Sequence, residues 1–279
     1  MGKQNKFHLG LEAEAAAQKS IRALVAHSRK AGKSEPIYLI INTVKPMVRK
    51  KDYTPRIIPV TNKIGRLQDK SVLLVTKDPS TPYRHALTEK DSATEDVFNQ
   101  IYTLTKLKSL AKDPKKLSLM FKDYDLVVAD NRIHKFLPDI LGAQFFLKNK
   151  KIPFMVQMAR PSPESQAQLT KSKLSTKLKD DRCEPKYVYS QMRAIARNTY
   201  FIPPAKGTCV SIVIGHTDME TPAIVTNLND VIGYLVDLKN LPVGGLLRTT
   251  ENIVSVHVKT SESVSMEIKK EKRTEEKES

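Results

Sequence analysis

The sequence predicts an α/β fold, and three observations carry that prediction. Between Ser71 and Met158, β-branched runs of strand length alternate with amphipathic stretches, the pattern of a parallel sheet with crossover helices. Further apolar runs and amphipathic stretches flank this segment on both sides, with a different texture. The basic charge is also unequally divided. Residues 67–158 hold 15 Lys plus Arg against 11 Asp plus Glu, and the remainder holds 32 against 19.

Taken in order, Leu11 to Ala31 reads as a helix, with Ala17, Ile21, Leu24, Val25 and Ser28 on one side and Gly32 as its stop. Pro36 to Asn42 is a continuous apolar run and predicts a buried strand. Arg56 to Val60 predicts a second strand, at an edge or end because Pro59 cannot donate to a ladder. Ser71 to Thr76, Asp125 to Ala129 and Ile152 to Met158 read as strands of the middle segment. Val97, Ile101, Leu104 and Leu107 predict one amphipathic helix over Ala93 to Leu110, with Asp91, Ser92 and Thr94 as cap candidates. Ile133 to Leu141 is a short helix closed by Gly142. Arg160 to Glu184 reads as a linker with an exposed lysine-rich helix, and Pro185 to Asn198 as helical. Thr208 to Gly215 predicts a strand, and Pro222 opens a helix over Ala223 to Lys239. Ile253 to Lys259 and Ser263 to Ile268 are the last strands, before a charged tail, 269–279, expected to be disordered.

The composition bounds the function. Across 279 residues the formal charge is +17, which suits a polyanionic partner. Aromatics are 6% and Trp is absent, so stacking platforms are not expected to dominate the binding surface. Cys183 and Cys209 stand alone, which excludes a disulfide framework and predicts a reducing compartment. Met1 to Gly10 contains no secretory apolar core, and no run approaches a membrane span, so no membrane partner is expected.

Catalytic signatures are missing. Ala31-Gly32-Lys33-Ser34 resembles the end of a phosphate loop, but His27 occupies the position of the first glycine and the order is helix, then strand. Asp78-Pro79-Ser80 follows the first middle strand, where a dinucleotide fold needs glycines. The six His show no ligand spacing, and there is no GxSxG elbow. Asp123, Asp125 and Asp130 cluster around one strand and Cys183 lies in a basic stretch. Neither forms a recognised constellation. No enzyme, metal, cofactor or small-molecule substrate is expected. The remaining signal is in basic loops at strand ends. The RNA-binding candidates are Lys33, Ser34, Lys45, Arg49, Lys50, Lys51, Arg56, Lys206, Lys259, Thr260 and Ser261, taken to meet at one sheet edge and to contact phosphate and the ribose 2′-hydroxyl.

The stretch DLVVADNRIHKFLPDILGAQFF (125–146), followed by Lys150-Lys151-Ile152-Pro153, resembles the middle domain of the ribosomal protein L-one family. Arg56-Ile57-Ile58-Pro59 matches the strand before that family's inserted domain. Ile212 to Gly215 and the helix from Ala223 match the return. The resemblance implies a split α+β RNA-binding domain (1–66 with 159–268) and a Rossmann-like α/β domain (67–158) inserted in it. The family's Thr-Met-Gly turn is here Thr260-Ser261-Glu262, and its loop Phe falls near Ala31. With IINT, PRIIP, LLVTKDPS and DLVVAD, the chain is most similar to the nucleolar branch, factors of the small-subunit processome associated with U-three small nucleolar RNA. That resemblance implies a nucleolar, non-catalytic protein, monomeric outside the particle, whose partners are pre-ribosomal RNA and other assembly proteins. The alternative it leaves is a large-subunit factor or ribosomal protein on stalk or spacer RNA.

Overall fold

The structure is a computed structural model describing residues 7–32, 34–50, 52–148, 151–161, 182–204 and 207–270. Its contacts divide into two units, Met1–Asp52 with Arg56–Ile64 and Arg197–Ser279, and Tyr53–Pro55 with Gly65–Ala196.

The first unit is built on an antiparallel sheet ordered β10-β9-β1-β8, with β1 Pro36–Thr43, β8 Cys209–His216, β9 Ile253–Lys259 and β10 Met266–Lys270. Lys269 and Lys270 thus extend a strand, and 271–279 lie outside the described residues. Helix α1 (Leu11–Ala31) covers one face of the sheet with Ala17, Ile21, Leu24 and Val25, all buried. It ends at Gly32, whose φ of 66° belongs to the left-handed region that glycine tolerates. A second helix, here α8 (Thr221–Val236), packs beside it through Ile224, Leu228, Val231, Ile232 and Leu235. Pro222 lies in its first turn, where no amide donor is needed. Among the described residues β2 (Arg56–Ile58) forms a two-stranded sheet with β7 (Thr199–Phe201), a strand too short for the sequence to signal.

β1 is not buried on both faces. Ile37, Leu39, Ile41 and Thr43 point into the core, while Tyr38, Ile40 and Asn42 between them stay partly exposed. The apolar run conceals this alternation, because Ile40 and Tyr38 are apolar although their face is open.

The second unit carries a parallel sheet ordered β4-β3-β5-β6, formed by β3 Val72–Thr76, β4 Gln100–Thr103, β5 Leu126–Asp130 and β6 Phe154–Val156. Every residue of β3 is buried, as expected for a central parallel strand. The single helix expected over Ala93 to Leu110 is instead β4 followed by α3 (Leu104–Ala111). Ile101 pairs with Leu74, and the Thr103 hydroxyl caps α3 by accepting from the Lys106 amide at 3.0 Å. The β-forming Ile101-Tyr102-Thr103 triplet and this cap override the helical spacing. Two further helices escape sequence reading, α2 (Thr81–Thr88) and α4 (Pro114–Asp123), the latter capped by Asp113. Lys151 closes the far end of α4, its ammonium donating to the Phe121 and Tyr124 carbonyls. The short helix after β5 is in two pieces, α5 (Asn131–His134) and α6 (Leu137–Ala143).

The contacts return to the first unit at Arg197, later than the expected 159. The helix α7 (Pro185–Arg197) explains this. It buries Val188, Met192 and Ile195, and Gln191 exchanges two hydrogen bonds with the Gln157 main chain at 2.8 and 3.0 Å. The exposed helix expected within Arg160 to Glu184 falls outside the described residues, since 162–181 are not described.

One contact predicts a pH effect. Asp125 accepts from the Ser71 amide at 2.9 Å and its hydroxyl at 3.0 Å. The Ser71 amide, then the neighbouring Lys70 and Lys151, hold this carboxyl below its ordinary range despite partial burial. A depressed folded-state pKa gives stability that is complete above the unfolded value and lost as pH falls through the folded one. The stability gap between wild type and Asp125→Asn should therefore shrink as pH falls from about 5 toward 3. Urea midpoints across that range check this, and a gap constant with pH contradicts it.

Candidate nucleic-acid interface

Antiparallel pairing decides where the basic loops go. Tyr38 at the start of β1 faces Lys259 at the end of β9, and Asn42 near the end of β1 faces Cys209 at the start of β8. Ser34, Lys259, Thr260 and Ser261 therefore gather at one end of the sheet, and Lys45, Arg49 and Lys50 at the other. Eight residues of strand separate the ends by roughly 23 Å. The single edge expected from the sequence is thus two separate ends. Lys33, Lys51 and Lys206 lie outside the described residues.

At the Lys45 end, the loop leaves β1 under tight control. The Thr43 amide donates to the Thr208 carbonyl at 2.7 Å and the Val44 amide to Asn252 at 3.0 Å. Beyond this anchor Lys45, Arg49 and Lys50 are exposed. Arg248, which the sequence reading missed, is exposed on the turn leading toward β9, with a φ of 62°. Arg56 has a different role from the one expected. Its guanidinium donates to the Pro242 and Val243 carbonyls at 2.8 and 3.2 Å and to Asp52 at 3.0 Å, with 16% of the side chain exposed. These bonds fasten the 238–243 loop and occupy the fork that a phosphate would need.

At the other end Thr260 also turns inward. It is buried, its amide donates to the Ser263 hydroxyl at 2.9 Å and its hydroxyl accepts from the Ser263 amide at 3.3 Å. It shapes the β9–β10 turn, leaving Ser261 and Glu262 exposed.

Between the two ends runs the open face of the sheet, the feature sequence reasoning missed. Three cross-strand rows cover it: Val213, Tyr38 and Lys259; Ser211, Ile40 and His257; Cys209, Asn42 and Ser255. The Asn42 amide donates to the Ser255 hydroxyl at 2.8 Å, and the His257 Nε2 lies 3.1 Å from the same oxygen. Cys209 is exposed on this face rather than in the core. The Asn42 amide, Ser211 hydroxyl, His257 imidazole, Tyr38 phenol and Lys259 ammonium, all at least partly exposed on this surface, can reach base edges, ribose and phosphate, whereas the Ser255 hydroxyl is buried.

Other candidates resolve structurally. Gly32 caps the carboxyl end of α1, its amide donating to the Arg29 carbonyl, whereas a phosphate loop leads into the amino end of a helix. Asp125 binds Ser71 at one end of β5, whereas Asp130 pairs with Arg132 at the other, so these carboxylates do not converge. Among the described residues no group of three His, Cys, Asp or Glu is placed to hold a metal. Burial pushes the Cys183 thiol up to about 11, against a lowering by Arg132, so it is protonated at neutral pH and not activated.

A split antiparallel unit with helices on one face and a cationic loop at one end, interrupted in sequence by a parallel α/β unit, defines a two-unit α/β protein with an open polar sheet face. The chain belongs to the ribosomal protein L1p/L10e family, whose model matches residues 21–264. It is 37% identical over 257 residues to the ribosome biogenesis protein UTP30 of Saccharomyces cerevisiae, covering 90% of this chain and 88% of that protein. A putative ribosome biogenesis protein of Schizosaccharomyces pombe is 25% identical over 234 residues, 83% of this chain and 53% of its own. A second from that organism is 24% identical over 165 residues, 58% of this chain and 56% of that protein. The chain thus spans about half the length of these two relatives.

Proposed function

We propose that this chain is a non-catalytic ribosomal-RNA-binding factor of ribosome biogenesis, acting in the nucleolus on early small-subunit precursors and their processing. The observation that carries the reading is likeness along nine-tenths of the chain to a protein named for ribosome biogenesis. The charge of +17 and the open polar face, with the exposed Lys45, Arg49 and Lys50 at one end, support it. Pre-ribosomal RNA and other assembly proteins are its partners, and outside the particle it is a monomer. The exposed Glu262 in the β9–β10 turn would repel phosphate there, which disfavours a place on large-subunit stalk RNA.

Ultraviolet crosslinking of the tagged protein in cells, with sequencing of the attached RNA, tests this. Reads concentrated on the small-subunit precursor are expected. Reads on stalk or spacer RNA of the large subunit would move the protein there, and no enriched RNA would end the RNA-binding reading.

Neutralising about six phosphates predicts a log–log salt slope of about −4 to −5. Reversing Lys45, Arg49 and Lys50 together to Glu should flatten that slope by about 2 to 3 and weaken binding at least tenfold at moderate salt. Filter binding across a salt series measures both. An unchanged slope would show that this loop does not touch RNA.

A further inference from the structure

The positive surplus of residues 67–158 lies in one place. Of the 15 Lys plus Arg and 11 Asp plus Glu there, residues 104–123 hold six and two, so the other positions hold nine of each. The whole excess therefore sits on α3, α4 and the turn between them. The undescribed residues 149 and 150 in this span are Asn and Lys, so they bring no carboxylate. A solvated face with no task mixes its signs, as the remainder of the span does.

The fold holds these ammonium groups outward. Leu107 and Met120 turn into the core, and the Thr103 hydroxyl and Asp113 carboxylate fix where each helix starts. Lys106, Lys108, Lys112, Lys115, Lys116 and Lys122 are left exposed. Lys108 and Lys112 lie four residues apart at α3, and Lys115 and Lys122 seven apart on α4, spacings that bring each pair to one side of its helix. Asp113 pairs with Lys116 at 3.8 Å with 62% of the Lys116 side chain exposed, a contact of little strength. Among the described residues Lys108, Lys112, Lys115 and Lys122 form no ion pair. The Lys106 ammonium lies 4.2 Å from the Tyr102 ring centroid, and Tyr102 is itself hydrogen-bonded to Tyr124.

The residue types select the partner. All six cations are lysines, compact charges on flexible stems that can follow a run of phosphates, without the planar fork that one fixed anion rewards. Protein interfaces build their centres from aromatic and apolar groups and are poor in lysine. Among the large hydrophobic residues of α3 and α4, Leu119 is the exposed one, at 58%. The surface therefore fits a chain of phosphodiesters better than an acidic protein segment.

We propose that the α3–α4 surface docks on the phosphate backbone of RNA, a contact additional to that of the first unit's basic loop. This rests on the RNA-binding reading above. The test uses the full-length chain, a transcript of small-subunit precursor RNA and a salt series. One variant combines Lys108→Gln, Lys112→Gln, Lys115→Gln and Lys122→Gln, which keeps helix propensity and leaves the Asp113 cap intact. A charge-matched control combines Lys19→Gln, Lys90→Gln, Lys135→Gln and Lys239→Gln, all exposed elsewhere. Both should melt as the wild type does. The α3–α4 variant should bind about tenfold more weakly at moderate salt and flatten the log–log slope by about 2, while the control keeps the wild-type slope. Bound RNA should also suppress amine acylation of Lys108, Lys112, Lys115 and Lys122 in the wild type, read by mass spectrometry. Equal losses in the two variants would assign the effect to net charge and overturn the proposal, as would undiminished acylation. Unchanged binding in the α3–α4 variant, with weakened binding in the Lys45/Arg49/Lys50 variant, would overturn this inference alone and pass the surface to an acidic protein segment. A wild-type chain without salt-dependent RNA binding would overturn both readings.

Discussion

Asp130→Ala is expected to destabilise the inserted unit by about 3 to 5 kcal/mol, the cost of removing one partner of a buried ion pair. Asp130 ends β5 with its side chain fully buried and accepts from both the Arg132 amide and guanidinium. Removing it strands a guanidinium that burial already opposes. It also uncaps the turn after β5, because the carboxylate holds the Arg132 amide at 3.0 Å. The loss should follow from the stranded charge more than from the missing attraction. Asp130→Leu/Arg132→Met, which removes both charges, should therefore recover much of the stability. Denaturant unfolding of the three proteins, with amide exchange in β3 and β5 as a local probe, checks this. A single variant as stable as wild type would mean that Arg132 finds equivalent solvation without its partner.

Asn227→Leu, close in size, should cost the first unit about 3 to 4 kcal/mol through main-chain groups left without partners. Asn227 is fully buried on α8. Its side-chain oxygen accepts from the Asn62 amide at 2.9 Å, and its nitrogen donates to the Asn62 and Ile214 carbonyls at 2.8 and 2.9 Å. One carboxamide thus joins α8, β8 and the segment leaving β2. Leucine fills the volume and leaves one amide and two carbonyls without their partner, two of them only partly buried, so the cost falls short of three full desolvation penalties. Thermal and urea unfolding measure the loss. A change under about 1 kcal/mol would show that water replaces these bonds.

The resemblance and the charge partition pointed to the same molecule for separate reasons. Helix α1, the central strands of the inserted unit, α8 and the last two strands were legible because each has a strong local signature: 3.6-residue spacing, β-branched runs, a proline in a first turn or a glycine stop. β4, β7, α2 and α4 were not legible, because three or four residues of strand, or a helix opened by Pro82 or Pro114 among polar residues, carry too little pattern to outweigh their surroundings.

The candidate site divides in the same way. Composition identified a cationic protein, and Lys45, Arg49 and Lys50 are exposed as expected, because charged groups in a short connection have nowhere else to go. Position could not be read locally. Whether two basic loops share an edge depends on strand direction and register, and antiparallel pairing set them at opposite ends of the sheet. Nor could the tasks of Arg56 and Thr260 be read, because their partners, Pro242, Val243 and Ser263, come near only through the fold. The sequence by itself determined the class, the charge and most of the elements, since those follow from residue type and spacing. Tertiary structure alone decided which polar groups face outward together, because strand pairing and long-range hydrogen bonds determine which side chains remain available to a ligand.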